Sequence, residues 1–305
     1  WGLNAVFVHV RSHGDAMYPS SVYPWSKFAA GTQGANQGYD PLAYMVQAAH
    51  ERGLKFHAWV NPYRVTGYLM PWEEVSADNP AKRWLEDSDS SNDRFVLKHD
   101  GAYYYNPSVE AVKQLVVDGV TEIVRGYEID GIHFDDYFYP SVNDEVEGRW
   151  FDKPEYLASG SKESIVQWRR NQVSDLVSRV YRAVKAEKSQ VTFGISPQGY
   201  VEHLRSDQNL FVDIDRWLSE SGYVDYIMPQ LYWGFETKTA AGTLAPYAFE
   251  QNLSTWIELK KKGNVTLYLG LGLYRAGTDV KDYNEVSEWL RFEDIISRQV
   301  KAGRN

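Results

Sequence analysis

The residues best suited to chemistry lie in the segment Asp130–Pro140, where an apolar strand-like run ends in carboxylates and aromatic rings. Asp135 and Asp136 are adjacent carboxylates in this segment. Such groups can transfer protons or attack an electrophilic carbon, and hydrolysis of a glycosidic bond needs two of them across the bond. Because side chains alternate along a strand, we expect Asp135 to share the inward face with His133 and Tyr137, whereas Asp136 points away or opens the next turn.

A catalytic partner for these carboxylates is therefore sought beyond other strands. Asp15 follows the first predicted strand, although the glycine before it also suits an ordinary turn. Glu236 and Glu202 follow later strands, and the Gly/Thr/Lys-rich surroundings of Glu236 are typical of a solvated loop. The sequence thus predicts Asp135, Asp136 and Asp15 as the catalytic carboxylates.

Hydroxyls, amides, aromatic planes and cations follow the other predicted strands. Polyhydroxylated ligands need this mixture, since aromatic faces stack on sugar C–H surfaces and polar groups bond to the hydroxyls. Neither a P-loop nor a dinucleotide fingerprint is present, and we predict no cofactor. The predicted substrate-binding residues are Arg11, His57, Asn61, Tyr63, His133, Tyr137, Gln230, Tyr232 and Trp233.

Three histidines offer an alternative reading of the same site. His9, His57 and His133 are predicted to line the interior, and with a carboxylate they could hold a catalytic metal. Such sites usually carry a His-x-His pair on one strand, which this sequence lacks. The acidic run Asp87–Asp93 also lacks the glycine and glutamate of a calcium loop. We predict no metal, and keep a metal-dependent hydrolase or deacetylase as an alternative.

Short strand-like runs alternate with longer helical patterns along the whole chain, which predicts a parallel sheet covered by helices. In each strand-like run every second residue is apolar, and the residues between them become polar toward the carboxyl end of the run. This pattern indicates an α/β fold of the (β/α)8 TIM-barrel type, with the outer face on helices and a polar site at the top. The six predicted strands are Asn4–Val10, Lys55–Val60, Gly131–Tyr137, Thr192–Ser196, Tyr226–Tyr232 and Thr266–Leu273.

A closed barrel of this type has eight strands, so we expect the first and last to lie outside this sequence. The alternative is that two strands are hidden within residues 62–107. We interpret that stretch as a long loop insertion decorating the mouth of a single barrel domain over residues 1–305.

The amino-acid composition limits the classes of partner that this protein could bind. The 305 residues include no cysteine and 41 acidic against 32 basic side chains, for a formal charge of −9. The negative balance, without a Lys/Arg cluster, argues against nucleic acid as a partner. No apolar run reaches the roughly 18 residues of a membrane span, and no signal segment precedes the first strand. Trp and Tyr rings are more numerous than a core needs and suit a wet, concave binding surface.

Several long motifs, in order, resemble a bacterial glycosyl-hydrolase-like family long described as a domain of unknown function. The resemblance implies a TIM barrel, a secreted or lipoprotein location and activity on peptidoglycan glycan strands. It also implies one strand before the first residue and one after the last helix. Similarity to chitinase-type barrels is more distant; it places Asp135 where an N-acetyl group would be oriented, and puts Tyr137 where those enzymes carry their acid. The motifs are Arg11–Ser20, Gly31–Gly34, Gly38–Pro41, His57–Arg64, Asp130–Pro140 and Met228–Trp233.

The leading hypothesis is an extracytoplasmic glycosidase that cleaves an amino-sugar polysaccharide, with bacterial peptidoglycan as its expected substrate. A carbohydrate-binding barrel without catalysis is the rival from another class. The two differ in whether a second carboxylate stands within bond-flanking distance of the first. The oligomeric state is left open.

Overall fold

The structure, a computed structural model, describes residues 2–140, 151–206, 210–259, 261, 263–279 and 286–304. Strands and helices alternate along the chain, as the sequence pattern predicts. The strands are β1 (Ala5–Arg11), β2 (Lys55–Val60), β3 (Val96–His99), β4 (Ala102–Tyr105), β5 (Gly131–Phe134), β6 (Thr192–Ile195), β7 (Tyr226–Ile227), β8 (Gln230–Leu231), β9 (Thr266–Leu267) and β10 (Gly270–Leu271). The helices are α1 (Lys27–Ala30), α2 (Pro41–His50), α3 (Pro80–Glu86), α4 (Glu110–Gly126), α5 (Lys153–Ser159), α6 (Ile165–Glu187), α7 (Val201–Arg205), α8 (Ile214–Ser219), α9 (Phe249–Glu258), α10 (Glu288–Arg291) and α11 (Ile295–Arg304).

Six parallel strands form the central sheet in the order β1-β2-β5-β6-β7-β9. Within this sheet each strand lies beside its next member along the chain, and the strands left out form two separate pairs, β3 with β4 and β8 with β10. A doubly wound sheet would instead reverse its strand order at a switch point. The predicted α/β class with TIM-barrel-type order is therefore confirmed.

Two predicted strands are interrupted in the structure. The run Tyr226–Tyr232 divides into β7 and β8 around Pro229, which has no N–H for a ladder. The run Thr266–Leu273 is likewise divided into two short strands, β9 and β10. Its second strand, β10, pairs in parallel with β8. The split brings Gln230 to the carboxyl edge of the sheet, beside Gln198.

The hydrophobic core lies between the outer face of the sheet and the helices. The strand residues predicted as apolar are buried there, including Phe56, Ile132 and Phe193, all with no exposed surface. Burying a side chain of this size contributes about 1.5–3 kcal/mol. The long helices α4 and α6 pack against each other over this layer. The core thus fixes the strand parity that turns the polar residues toward the other face.

The segment 62–107 is more structured than the predicted loop. It holds α3 and an antiparallel hairpin of β3 and β4, which forms a sheet of its own and adds no strand to the central sheet. Asp100 and Gly101 both have positive φ, 47° and 80°, at the hairpin turn. An Asp-Gly pair between two apolar runs favours such a turn, so the sequence carried this signal.

No helix in the described parts of the chain is long and apolar enough to cross a membrane.

Candidate active site

A cavity of about 280 Å³ opens at the carboxyl ends of the central strands. Parallel strands deliver the side chains that follow them to one edge of a sheet, which is where barrel enzymes carry their chemistry. Acidic, amide, hydroxyl and aromatic groups share this cavity. Its lining residues are Phe7, Trp59, His133, Asp135, Asp136, Tyr137, Ser196, Met228, Gln230, Tyr232 and Gly270.

Asp135 is held by donors on both carboxyl oxygens. The side-chain amide of Asn61 donates to Oδ1 and Oδ2 at 3.1 and 3.0 Å. The Trp59 indole N–H donates to Oδ2 at 3.2 Å, and the backbone N–H of Tyr137 donates to Oδ1 at 3.1 Å. Burial, with a smaller contribution from the neighbouring Asp136, raises the pKa of Asp135 to about 6, although the hydrogen bonds from Asn61 and Tyr137 oppose the rise. The carboxyl is therefore poised to change charge near neutral pH.

Asp136 takes the second of its two predicted places: it lies beyond the strand, where the next turn opens, and it lines the same cavity as Asp135. Strand β5 ends at Phe134, so strict alternation no longer applies two residues later. Burial raises the pKa of Asp136, and hydrogen bonds from the Gln230 and Gln198 side chains oppose that rise. Two adjacent carboxyls with raised pKa values thus face one cavity.

A layer of imidazole and phenol groups lies beneath this pair. The Tyr226 hydroxyl bridges His57 and His133, at 3.1 and 3.0 Å from their Nδ1 atoms. His133 Nε2 lies 2.9 Å from the Ser196 hydroxyl. Burial lowers the pKa of His57 to about 4 and that of His133 to about 3, so both rings are neutral at neutral pH.

Glycines within two strands make room for this layer. A Cβ on Gly131 would lie 2.2 Å from His57 Nδ1, and one on Gly194 would lie 2.2 Å from the Tyr226 ring. His57 and Tyr226 line a second cavity, of about 380 Å³, at the opposite ends of the strands. Of the predicted sugar-binding histidines, only His133 therefore lines the cavity of the carboxyl pair.

Arg11 lies away from the predicted site. A β-bulge pairs Arg11 with Val60, so the alternation shifts and Arg11 turns to the helix side. Its guanidinium donates to the carbonyls of Asn61 and Pro62 at 3.1 and 2.8 Å and lies 4.4 Å from the Tyr23 ring. With no exposed surface, Arg11 supports the strand end and has no face to offer a substrate.

Tyr63 and Asn61 occupy the same turn but play different parts. Tyr63 is fully buried in the hydrophobic core, which raises the pKa of its hydroxyl, and it does not line the cavity. Asn61 is also buried, and its Oδ1 accepts the backbone N–H groups of Tyr63 and Arg64 at 3.3 and 2.9 Å. Asn61 therefore joins the turn to Asp135 and acts behind the cavity wall.

Asp15 lies in a buried polar network in the loop after β1, outside the cavity lining. It accepts the His13 backbone N–H at 3.2 Å and the Gln33 amide at 3.4 Å. A hydrogen bond from Ser26 also opposes the rise of its pKa, which burial causes. Asn79 continues the network by donating to the Gly14 carbonyl at 3.0 Å, so it ties this loop to α3.

The other candidate acids stand in surface ion pairs. Glu236 pairs with Arg291 at 2.6 Å, and Glu202 with Arg205 at 3.1 Å. Neither carboxylate lines the cavity of Asp135. Asp135 and Asp136 are thus the cavity's carboxylates within the described residues.

Aromatic residues form the rim. Tyr137 is half exposed, and the Arg64 guanidinium lies 4.3 Å from its ring centre. Tyr232 lines the cavity and meets Tyr274 edge to face at 5.8 Å. Trp233 instead packs on Tyr247 at 5.3 Å and is not a lining residue.

The predicted binding set omits several residues that contact the cavity. Trp59, Ser196, Phe7 and Met228 all line it, and all fall on the inward parity of their predicted strands. The same alternation that selected His133 could therefore have selected them.

Metal ligation finds no support in the described ranges of the chain, where no group of three His, Asp or Glu side chains is placed to hold an ion. His9 stacks on Trp59 at 4.3 Å. Burial lowers the pKa of His9 to about 3, with the positive charge of Arg64 as a further cause.

Comparison with known proteins gives a consistent picture. The model of the family described as glycosyl hydrolase-like 10 matches residues 2–288. Glycosyl hydrolase YngK of Bacillus subtilis (strain 168) is 33% identical over 317 residues, which cover 98% of this chain and 58% of that protein. Glycosyl hydrolase DigH of Escherichia coli (strain K12) is 33% identical over 301 residues, covering 92% of this chain and 64% of that protein. The chain thus spans less than two thirds of either relative.

A solved structure supports the fold at lower sequence similarity. The glycoside hydrolase domain of PgaB (BpsB) from Bordetella bronchiseptica superposes with a TM-score of 0.61 at 12% identity. The superposition covers 99% of this chain and 80% of that domain.

Proposed function

This chain belongs to the glycosyl hydrolase-like 10 family, and from that premise we propose that it hydrolyses glycosidic bonds in an amino-sugar polysaccharide. The proposed substrate is the glycan strand of bacterial peptidoglycan after its peptides have been removed. The observation that carries the proposal is the carboxyl pair: Asp135 and Asp136 face one aromatic cavity, and burial raises both pKa values. Glycoside hydrolysis uses carboxyl groups in two protonation states, and raised pKa values supply them near neutral pH.

The hydrogen bonds divide the roles within the pair. Every bond to Asp135 comes from an N–H donor, so the network favours its ionised form. We assign Asp135 as the carboxylate that faces the positive charge developing at the anomeric carbon. Asp136 is the more exposed of the two, and we assign it as the acid that protonates the leaving glycosidic oxygen. Water then completes the hydrolysis at the anomeric carbon, and its proton returns to Asp136.

Support for a sugar substrate comes from the rim. Tyr137, Tyr232 and Trp59 present aromatic surface to the cavity, and Gln230 and Ser196 present polar groups beside it. Support for peptidoglycan comes from the family resemblance of the sequence motifs. Because peptidoglycan lies outside the cytoplasm, the proposal includes an extracytoplasmic location.

A carbohydrate-binding barrel without catalysis is favoured by one observation. Both carboxylates that line the cavity in the described chain follow one strand, β5. The two catalytic carboxyls of a glycosidase usually flank the scissile bond, one on each side of it. The two proposals differ in whether bound strands are cut.

The test is product analysis on defined glycan strands. We expect the wild-type protein to release short sugars from peptide-stripped strands, read by mass spectrometry, with less product from strands that keep their peptides. Asp135→Asn and Asp136→Asn should release far less product under the same conditions while still binding the strands. Binding without product by the wild-type protein would support the binding barrel. Loss of product on adding a chelator would support the metal-dependent alternative.

A further inference from the structure

Arg64 is a cation whose charge acts on both carboxyl groups of the site. The positive charge of Arg64 lowers the pKa of Asp135 and that of Asp136, opposing the effect of burial. Across the described parts of the chain, its guanidinium has neither a carboxylate partner nor a hydrogen-bond acceptor. An arginine near two carboxyls but paired with neither retains its donors for another anion.

Three contacts hold Arg64 in place without using those donors. Its backbone N–H donates to Asn61 Oδ1 at 2.9 Å, in the turn that also binds Asp135. Its backbone forms an antiparallel bridge with Tyr104 of β4. Its guanidinium carbon lies over the Tyr137 ring, 4.3 Å from the ring centre. The side chain is therefore preorganised at the rim, which reduces the entropy lost when it binds an anion.

The chemistry of the proposed substrate supplies such an anion. An N-acetylmuramic acid residue carries a lactyl carboxylate, which is free once the stem peptide has been removed and is consumed in an amide bond while the peptide remains. An anionic strand approaching two carboxyls on a protein of net charge −9 is repelled unless a cation offsets that charge. A neutral amino-sugar polymer meets no such barrier.

We propose that Arg64 is a specificity-determining residue that pairs with the free carboxylate of an acidic amino sugar and so selects peptide-stripped strands. This inference rests on the proposed glycosidase function and adds the substrate feature that the site recognises. The Tyr137 ring then offers its other face to the sugar, while the guanidinium above it reaches the carboxylate.

The test uses two substrates that differ only in charge. Peptide-stripped strands are compared with the same strands after their lactyl carboxylates have been coupled to methylamine, which makes them neutral. We expect the wild-type protein to cleave the acidic strands with at least about 10-fold higher kcat/KM, carried mainly by KM, and this preference should weaken as salt is raised. Arg64→Met should lose about 10- to 100-fold on the acidic strands and little on the neutral ones.

Two further variants serve as controls for the role of Arg64. Arg64→Lys keeps the charge without the fork of donors and should retain part of the preference. Arg275, whose guanidinium lies 5.6 Å from the Tyr274 ring, is a matched rim arginine, and Arg275→Met should keep the preference. Equal cleavage of both substrates by the wild type, or an equal loss on both in Arg64→Met, would overturn the proposal. Failure of the wild type to cleave either substrate would instead overturn the glycosidase function itself.

Discussion

Asp15 and Asp135 are buried to nearly the same degree, with 0% and 2% of their surface exposed. In both, burial raises the pKa of the carboxyl and hydrogen bonds oppose that rise. Asp15, however, sits in a closed polar network with His13 and Gln33, whereas Asp135 lines a cavity. Burial and a raised pKa therefore do not separate a structural carboxyl from a candidate catalytic one; access to a cavity does.

The donors of the two networks explain the difference. The partners of Asp15 lie in two loops, His13 after β1 and Gln33 after α1, and Asn79 links the same network to α3. Removing Asp15 would break the hydrogen bonds that hold two loops together. The partners of Asp135, Asn61 and Trp59, come from the neighbouring strand end and orient one carboxylate at the floor of the cavity. Removing Asp135 would leave the contacts between those loops intact and take away the proposed reacting group.

The largest expected effect separates the two carboxyls by activity. Asp135→Asn should lower kcat on peptide-stripped strands by about 10³-fold, because the amide cannot carry the negative charge. Asp15→Asn should keep kcat within about threefold of the wild type. Steady-state rates, with circular dichroism to confirm folding of both variants, make the measurement. A comparable fall in the two variants would return Asp15 to the catalytic set.

The next effect is a pH dependence of stability that belongs to Asp135. Between the ordinary pKa of an aspartate near 4 and its folded value of about 6, the folded chain keeps a proton that the unfolded chain has released. The free energy of unfolding should therefore fall as pH rises through this window, by up to about 3 kcal/mol. Asp135→Asn should lose this part of the pH dependence. Urea unfolding at half-unit steps from pH 4 to 7 measures it, and superimposable pH profiles of wild type and variant would contradict it.

Asp15→Asn tests the structural half of the comparison. The new amide N–H groups would face donors from His13 and Gln33, so we expect the free energy of unfolding to fall by about 1–3 kcal/mol. Asp93→Asn, in the exposed acidic run, is the matched control and should leave urea unfolding unchanged. An unchanged midpoint for Asp15→Asn would show that the network contributes nothing to stability.

Much of the fold could be predicted because strand parity is a strong physical constraint. Apolar residues such as Phe56 and Ile132 must face the helices, which places His133 and Asp135 on the opposite face. Prediction failed where that alternation breaks. The bulge at β1 turns Arg11 outward. For Asp136 the alternation allowed two places, and the end of β5 at Phe134 puts it in the second, at the next turn, where it lines the cavity.

Contacts between distant segments were beyond the sequence for another reason. The pairing of Asn61 with Asp135 and of Asp15 with Gln33 depends on how loops fold over the strand ends. No local pattern distinguishes a buried loop aspartate from one at a cavity, since both follow a strand. The Asp100–Gly101 turn is different, because its sequence signal is local and only its interpretation was missed.

The smallest expected effect concerns one of the donors to Asp135, the proposed catalytic carboxylate. Trp59→Phe removes the indole N–H that Asp135 Oδ2 accepts, so the charged form loses a stabilising bond and the pKa of Asp135 should rise. Because the assigned role needs the ionised carboxylate, the acid limb of kcat/KM near pH 6 should move to higher pH by about 0.5–1 unit.

Tyr63→Phe is the matched control for that shift, since the buried Tyr63 hydroxyl has no hydrogen-bond partner in the described chain and lies outside the cavity lining. It should leave the acid limb in place. A shift toward lower pH in Trp59→Phe would mean that the indole favours the protonated carboxyl, and the roles of Asp135 and Asp136 would then be exchanged. Of the two substituted side chains, Trp59 donates to the carboxylate and Tyr63 does not, so a shift of equal size in both variants would mean that the acid limb reports general packing around the strand end.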